Sequence, residues 1–321
     1  MEIFRHIDDR GLSVRASVAT LGNFDGIHLG HQALIQSTVE DARRLGIVSV
    51  ILTFEPHPLK ILAPARAPKL ILAHKDKMQL LQLFGMDVVV VQNFDTSFAN
   101  IEAEEFVRRF LVERLKIKKV WVGKDLRFGR GRKGGVNDLI SWAGAIGFDV
   151  GIVEPVMVKG IRVSSSRIRQ LLAEGRVEEV EPMLGRYHFV SGRVVRGHHR
   201  GRELGFPTAN ISPRTEVLPP DGIYATLFQF GDKKFLSVSS IGVNPTFGEG
   251  PRTVETFILD FNDDVYDRSV RLSFVKRIRE EKKFASIDQL IEQVKIDVAC
   301  ARAIFNQLGM TENVAFANKS L

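Results

Sequence analysis

Short apolar runs alternate with stretches of helical spacing through the first half of the chain. Residues 16–21 (ASVATL), 48–54 (VSVILTF), 87–92 (DVVVVQ), 119–122 and 149–153 read as strands. Between them the spacing predicts helices over about residues 31–45, 74–84 and 103–115. In the last of these Phe106, Val107, Phe110, Leu111 and Leu115 recur at helical intervals. Strand and helix in such alternation predict an α/β unit, a parallel sheet covered by helices on both faces. Ligands of such a sheet gather at the carboxyl ends of its strands.

The texture changes after Gly185. Segments at about residues 189–196, 223–230, 235–241, 253–259 and 269–275 are short, β-branched or aromatic, and punctuated by Gly, Pro and Asp. They predict a small antiparallel β-barrel or sandwich. A long helix over about residues 286–308 follows. Its stripe of Ile287, Leu290, Ile291, Val294, Val298, Ala301, Ile304, Phe305 and Leu308 is expected to pack on the sheet. Ser286 and Gln289 form a capping-box pattern at its start. The expected organisation is therefore α/β plus β, with domains over residues 1–185 and 186–310 and a flexible tail over 311–321.

Composition narrows the class. A chain of 321 residues favours two domains at roughly 150 residues each. With 44% hydrophobic and 26% charged residues it is globular, neither disordered nor fibrous. Cys300 stands alone, so no intramolecular disulfide can form, in keeping with a reducing compartment. The first residues, MEIFRHIDDRGLSVRAS, mix acids and bases with no signal-like apolar core. No run reaches the ~18 apolar residues of a membrane helix. A soluble, cytoplasmic protein is expected. The net charge of +7 suits the handling of anions without specifying which.

Three segments of the first half carry candidate chemistry. Residues 22–31 (GNFDGIHLGH) stand where the first strand gives way to a helix. Glycines there let backbone approach a phosphate, and a helix start supplies N–H donors with positive potential. Two imidazoles on one turn can donate to phosphate oxygens as charge develops; the alternative is histidines that only cap the helix or sit in the core. Residues 161–169 (IRVSSSRIR) place three hydroxyls before a helix marked by Ile168, Leu171 and Leu172. The hydroxyls suit N-caps, while Arg167 and Arg169 add an anion site fit for a triphosphate. Eight Lys or Arg and one acid fall within residues 116–135. Together with the glycines of residues 122–129 (VGKDLRFG) this reads as a mobile phosphate-binding loop; taken alone, the segment also suits a nucleic-acid patch.

The second half carries its own constellation. Residues 192–202 hold four arginines, two histidines and no acid, and lead into ELGFPTAN. A basic, glycine-rich turn between strands can wrap phosphates with backbone N–H groups. Thr208 and Asn210, two apart in an extended segment, face the same way. Oxygen ligands on one side suit Mg²⁺, whose shell phosphate and water complete; an ordinary exposed Thr and Asn is the other reading. Glu255 gains meaning only if it reaches the same place, where it could accept a hydroxyl proton.

In combination the first set resembles the nucleotidylyltransferase superfamily, and within it the FMN adenylyltransferase module of bacterial bifunctional riboflavin kinase/FAD synthetases. That family reads GNFDGxHxGH, FxPHP, VGxDFRFG and SSTRIR. Here the counterparts are residues 22–31, 54–58 (FEPHP), 122–129 and 164–169. Leu126 replaces the usual Phe and keeps an apolar contact; Ser166 replaces the usual Thr and keeps the hydroxyl. Residues 187–308 resemble the riboflavin kinase module, through residues 192–211, 240–247, 254–266 and 279–284. Asp267 follows Tyr266 where that family has Gly, a change at a turn.

The resemblance implies a Rossmann-like N-terminal domain and a C-terminal barrel with a flanking helix. It implies His28, His31 and Arg167 as catalytic in adenylyl transfer, and Glu255 as the base of the kinase. ATP contacts would be Gly22, Asn23, Phe24, Asp25, Gly30, Asp125, Ser164, Ser165 and Ser166 in the first domain. In the second they would be Gly192, Gly197, Arg200, Gly201, Arg202, Gly205, Phe206 and Pro207. Flavin contacts would be Phe54, Pro56, His57, Pro58, Phe128 and Arg279, with Thr208 and Asn210 as Mg²⁺ ligands. Expected partners are riboflavin, FMN and ATP, with FAD as product and neither nucleic acid nor membrane. A transient homo-oligomer and flavoprotein clients complete the expected contacts.

Overall fold

The computed structural model describes residues 1–196, 205–243 and 252–310. The chain forms two compact units, Met1–Lys69 with His74–Ser164, and Leu70–Ala73 with Ser165–Leu321.

The main sheet of the first unit has six strands: β1 (Glu2–Phe4), β2 (Ser17–Leu21), β3 (Val48–Glu55), β4 (Val88–Asn93), β5 (Ile117–Gly123) and β6 (Asp149–Val153). Their order is β1-β4-β3-β2-β5-β6, and every pairing is parallel. All five residues of β2 and five of six in β4 are buried, as a parallel sheet covered on both faces requires. The chain winds from β2 through β3 to β4, then returns to the other side of β2 with β5. The order reverses between β2 and β5, so the segments leaving their carboxyl ends flank a topological switch point. Those segments are residues 22–28 and 124–135, two of the three singled out by sequence.

Helices α1 (Leu29–Leu45) and α3 (His74–Leu83) fall where the spacing predicts them, and a short α2 (Pro58–Leu62) that it does not predict lies between them. The helix expected over 103–115 is α-helical only at α4 (Ala103–Glu105) and continues as a π-helix over Phe106–Arg114. The wider turn still buries Phe106, Val107, Phe110 and Leu111 against Leu21, Val120 and Phe128. Helix α5 (Val136–Ile146) has no counterpart in the sequence reading, since it buries only Leu139 and Ala143 and so shows little periodicity.

The second unit opens with α6 (Ser165–Ala173), which buries Ile168, Leu171 and Leu172. It then forms a closed antiparallel barrel of β7 (His188–Val195), β8 (Thr208–Pro213), β9 (Gly222–Phe230), β10 (Lys233–Val243), β11 (Arg252–Ile258) and β12 (Ser269–Arg279). The order is β7-β8-β11-β10-β9-β12, closed by the β7–β12 pairing. Of the strands read from sequence, those over about 189–196, 223–230, 235–241, 253–259 and 269–275 all lie within this barrel. Side chains alternate across the wall. Ala225, Leu227, Leu236 and Val238 face helix α7 (Ile287–Gln307), while Thr226, Ser237, Ser239 and Thr256 lie on the opposite, inner face. These four hydroxyls satisfy one another at 2.7–2.8 Å.

Ser286 caps α7 by accepting the Gln289 N–H at 3.3 Å, and Gln289 in turn accepts from Ala285. The expected apolar stripe packs fully only at Ala301 and Phe305. Ile287 is 63% and Leu308 52% exposed. In the middle of the helix the buried position is a charge, Asp297, paired with Arg279. Asp267 adopts φ 61°, the left-handed conformation that Gly would supply, and its N–H bonds to Val194 O at 3.0 Å. Asp tolerates this region better than most side chains, so the turn survives the change.

His188 on β7 is 1% exposed, stacks on Phe274 at 5.9 Å, and leaves Nε2 without a hydrogen-bond partner. Burial first, then Arg186, pushes its pKa down to about 3. Unfolded, the group titrates near 6.5, so between these values the unfolded chain binds more protons. Stability of this unit should therefore fall as pH drops below 6.5, by about 1.4 kcal/mol per pH unit. Hydrogen exchange in β7 and β12 at pH 6.5 and 5 measures this; about 2 kcal/mol should be lost, and His188→Leu should remove that dependence. An unchanged slope in the variant would assign the acid sensitivity elsewhere.

Candidate active sites

In the first unit β2 runs into the segment expected to hold phosphate. Gly22 still donates to Leu52 O at 3.1 Å, after which Phe24, Gly26 and Ile27 take φ of 50°, 83° and 40°. Phe24 and Ile27 are almost wholly buried, and that burial holds the strained turn in place. The turn delivers His28 to the N-cap of α1, where its Nδ1 accepts the His31 N–H at 3.3 Å. A neutral His28 therefore carries its proton on Nε2, as a donor.

The His31 ring stacks on His28 with centroids 3.7 Å apart and planes 15° from parallel. A side chain at Gly30 would lie 3.3 Å from the His28 ring, so glycine there lets the pair close. Burial above all, then His28 and Lys77, holds His31 well below the ordinary histidine range. The site presents two stacked imidazoles at a helix N-terminus, that of His31 held neutral. His31 Nδ1 is buried and finds no hydrogen-bond partner among the described residues.

The FEPHP segment meets this loop directly. His57 caps α2, its Nδ1 accepting Leu59 N–H at 3.2 Å, which again leaves the proton on Nε2. That nitrogen lies 3.2 Å from Asn23 Nδ2. Pro56 and Pro58 flank His57, and Pro58 starts α2. Phe54 is half-buried and joins an aromatic group with Phe94 and Phe98 at 5.8–5.9 Å. Phe128 is only 8% exposed and packs on Phe106 and Trp142 within the core.

The basic segment after β5 folds as a small hairpin, Arg127–Phe128 pairing with Gly134–Gly135. Gly129 has φ 70°, and a Cβ there would come 2.6 Å from Ala103 Cα, so this glycine serves packing. Part of the positive charge is balanced, while the segment's own acid, Asp125, is taken by a base from outside it. Lys119 pairs with Asp41 at 2.7 Å, Lys124 with Glu154 at 3.0 Å, Arg130 with Glu102 at 3.3 Å, and Arg162 with Asp125. Hydrogen bonds from Lys119 and Arg44 hold the Asp41 carboxyl at about 2.

Ser164 ends the first unit, and α6 in the second starts at Ser165 and Ser166. Arg167, on its first turn, donates to Gln170 at 2.9 Å.

In the barrel, register does what spacing alone could not. Asn210 on β8 pairs with Glu255 on β11, which pairs in turn with Ser240 on β10; Thr208 pairs with Phe257. Directly opposed residues share a face. Ala209, Ile211, Val254 and Thr256 are buried inward, so Thr208, Asn210, Glu255 and Ser240 gather on the outer wall, half-buried. Gly205, Phe206 and Pro207 precede β8, and Phe206 meets Phe257 edge-on at 5.4 Å. Gly192 lies inside β7, paired to Pro213 and Val270. Gly197, Arg200, Gly201 and Arg202 fall outside the described residues.

Arg279 grips Asp297 through two hydrogen bonds of 2.8 and 2.7 Å, so its guanidinium edge is turned to α7. Glu281 was not foreseen. Its carboxylate lies against Gly242, where a Cβ would come within 2.6 Å of both oxygens. Burial first, then Asp221, pushes its pKa up, against the pull of Arg279; Glu255 adds a smaller push.

No group of three His, Cys, Asp or Glu side chains among the described residues could cage a metal. Thr208 and Asn210 beside Glu255 offer a few hard oxygen donors on one surface, which fits Mg²⁺ sharing its shell with phosphates and water. No helix of the described residues is long and apolar enough to cross a membrane.

A parallel sheet with a His-x-Gly-His helix start at its switch point, followed by a barrel bearing Thr, Asn and Glu in register, defines a nucleotidyltransferase joined to a small-molecule kinase. The chain matches the FAD synthetase family over residues 12–167 and the riboflavin kinase family over residues 184–305. It is 38% identical to the bifunctional riboflavin kinase/FMN adenylyltransferase of Escherichia coli strain K12, over 90% of this chain and 92% of the relative. To the protein of that description from Pseudomonas fluorescens it is 37% identical, over 95% and 98%. A solved structure from Streptococcus pneumoniae, described as a macrolide-efflux protein, superimposes with a TM-score of 0.84. That structure is 32% identical, and the match covers 94% of this chain and 98% of that one. The chain belongs to the bifunctional riboflavin kinase/FMN adenylyltransferase family.

Proposed function

We propose that two ATP-dependent steps of flavin-cofactor synthesis are divided between domains over residues 1–185 and 186–310, and that the residues assembled above carry them. In the barrel the ribityl 5′-hydroxyl of riboflavin attacks the γ-phosphorus of ATP. Glu255 takes the hydroxyl proton, the phosphoryl group passes to riboflavin, and ADP leaves with FMN as product. Thr208 and Asn210 would hold Mg²⁺, which when bound neutralises charge on the phosphates. The observation that carries this reading is the cross-strand alignment of Asn210 with Glu255 beside Thr208.

In the first domain the phosphate of FMN attacks the α-phosphorus of a second ATP, and pyrophosphate leaves with FAD as product. The nucleophile is already ionised, so no strong base is needed. His28 and His31 serve as hydrogen-bond donors at the α1 start, where helix N–H groups add positive potential. Ser164 serves the phosphates there, and Phe54, His57 and the neighbouring prolines the flavin. We assign the protein to the cytoplasm and its partners to riboflavin, FMN and ATP, with a transient homo-oligomer and flavoprotein clients beyond these.

The test is incubation with riboflavin, ATP and Mg²⁺, followed by separation of flavins. FMN and then FAD should accumulate. FMN alone would remove the second activity from the reading, and neither product would overturn it.

A further inference from the structure

Lys77, on α3, lies 46 positions beyond His31 in sequence yet reaches the phosphate loop. Its Nζ donates to Thr53 Oγ1 at 3.2 Å and to Asn23 O at 3.4 Å, and Thr53 Oγ1 donates to that same carbonyl at 3.2 Å. Thr53 is fully buried on β3, so this anchor is fixed to the sheet. We propose that Lys77 is a positioning residue for adenylyl transfer: its ammonium pins the backbone of the loop after β2 and places a fixed positive charge beneath the phosphate site. The inference rests on the adenylyltransferase reading given above.

An ammonium this buried is costly to keep unless it is used or compensated. Burial lowers its pKa, while Glu55 and Asp25 favour its charged form. Both carboxylates belong to the segments that Lys77 holds, Asp25 within residues 22–31 and Glu55 at the head of FEPHP. Glu55 also pairs with His74, one turn earlier on α3, at 2.7 Å. His28 and Lys77 both disfavour protonation of His31, behind the larger effect of burial. Lys77 therefore has three effects at one place: it fixes Asn23, adds to the burial and the His28 ring that keep His31 neutral, and offers its charge without rearrangement when phosphate arrives.

Lys77→Gln keeps hydrogen-bonding capacity and removes the charge; Lys77→Arg keeps the charge. With FMN and ATP as substrates, Lys77→Gln should lower kcat/KM by about 10- to 100-fold, through kcat more than KM for FMN. Removing the like charge should also shift the acid limb of the pH–rate profile upward, an effect that loss of packing alone would not produce. Lys77→Arg should recover part of the rate and keep the limb in place. FMN formation from riboflavin by the same preparations reports an intact chain. Wild-type rate and an unmoved acid limb in Lys77→Gln would overturn the proposal. So would Lys77→Arg behaving like Lys77→Gln. If Lys77→Gln does not fold, a Lys77→Arg variant with unchanged kcat and limb supports the charge, and one that loses both overturns it. A wild-type chain that makes no FAD from FMN and ATP would fail the underlying reading instead.

Discussion

Glu255→Gln should lower riboflavin phosphorylation by on the order of 10²–10⁴-fold, while the same preparation converts FMN to FAD at the wild-type rate. The substitution preserves size and leaves a group able to hydrogen bond on the outer wall, so the β8–β11 register and the Asn210 pairing should persist. What it removes is the capacity to accept a proton from the attacking hydroxyl. The loss should therefore fall on kcat, with KM for riboflavin little changed. Separate assays from riboflavin and from FMN read the two steps independently. Loss of both activities would mean that Glu255 supports the fold, and loss of neither would mean that another group takes the proton. Glu281 is the next carboxylate on that surface, its ordinary pKa raised chiefly by burial.

The elements of both units were legible wherever periodicity was strong. Strands β2 to β6 and the long α7 fall within a few residues of their expected limits, because buried apolar runs and amphipathic stripes leave little choice. The π-helical Phe106–Arg114 was not legible, since the same apolar residues serve an α- or a π-turn and the wider winding depends on the neighbours packed there. Sites divided similarly. His28 and His31 were readable because cap, glycine and ring lie within four residues. Lys77 was invisible, because its significance arises only when α3 folds back on the β2 and β3 ends. The partner of Arg279 could not be read either: Asp297, 18 residues later, takes its guanidinium in a buried pair. Asp267 shows that a motif departure can keep the backbone that the motif exists to provide.

The second large effect is expected at His31. His31→Ala should lower FAD formation from FMN by about 10²–10³-fold and leave FMN formation from riboflavin unchanged. The stacked geometry argues for His31 over a purely structural role. His28 is secured by its cap bond, and that bond uses only the backbone N–H of residue 31, which alanine retains. Ala at this position also favours helix, so α1 should start where it does now. What is lost is one neutral ring, that of His31, stacked on His28 and with its own Nδ1 unpartnered within the described residues. Because burial, His28 and Lys77 keep that ring neutral, the rate should be flat from neutral to mildly acidic pH and fall only well below 6.5, as His31 takes up a proton. In His31→Ala that low-pH fall should disappear along with most of the rate. A variant that kept full adenylyl transfer would reduce His31 to a packing partner of His28. A variant that lost both activities would place the damage in folding, which intact riboflavin phosphorylation is there to exclude.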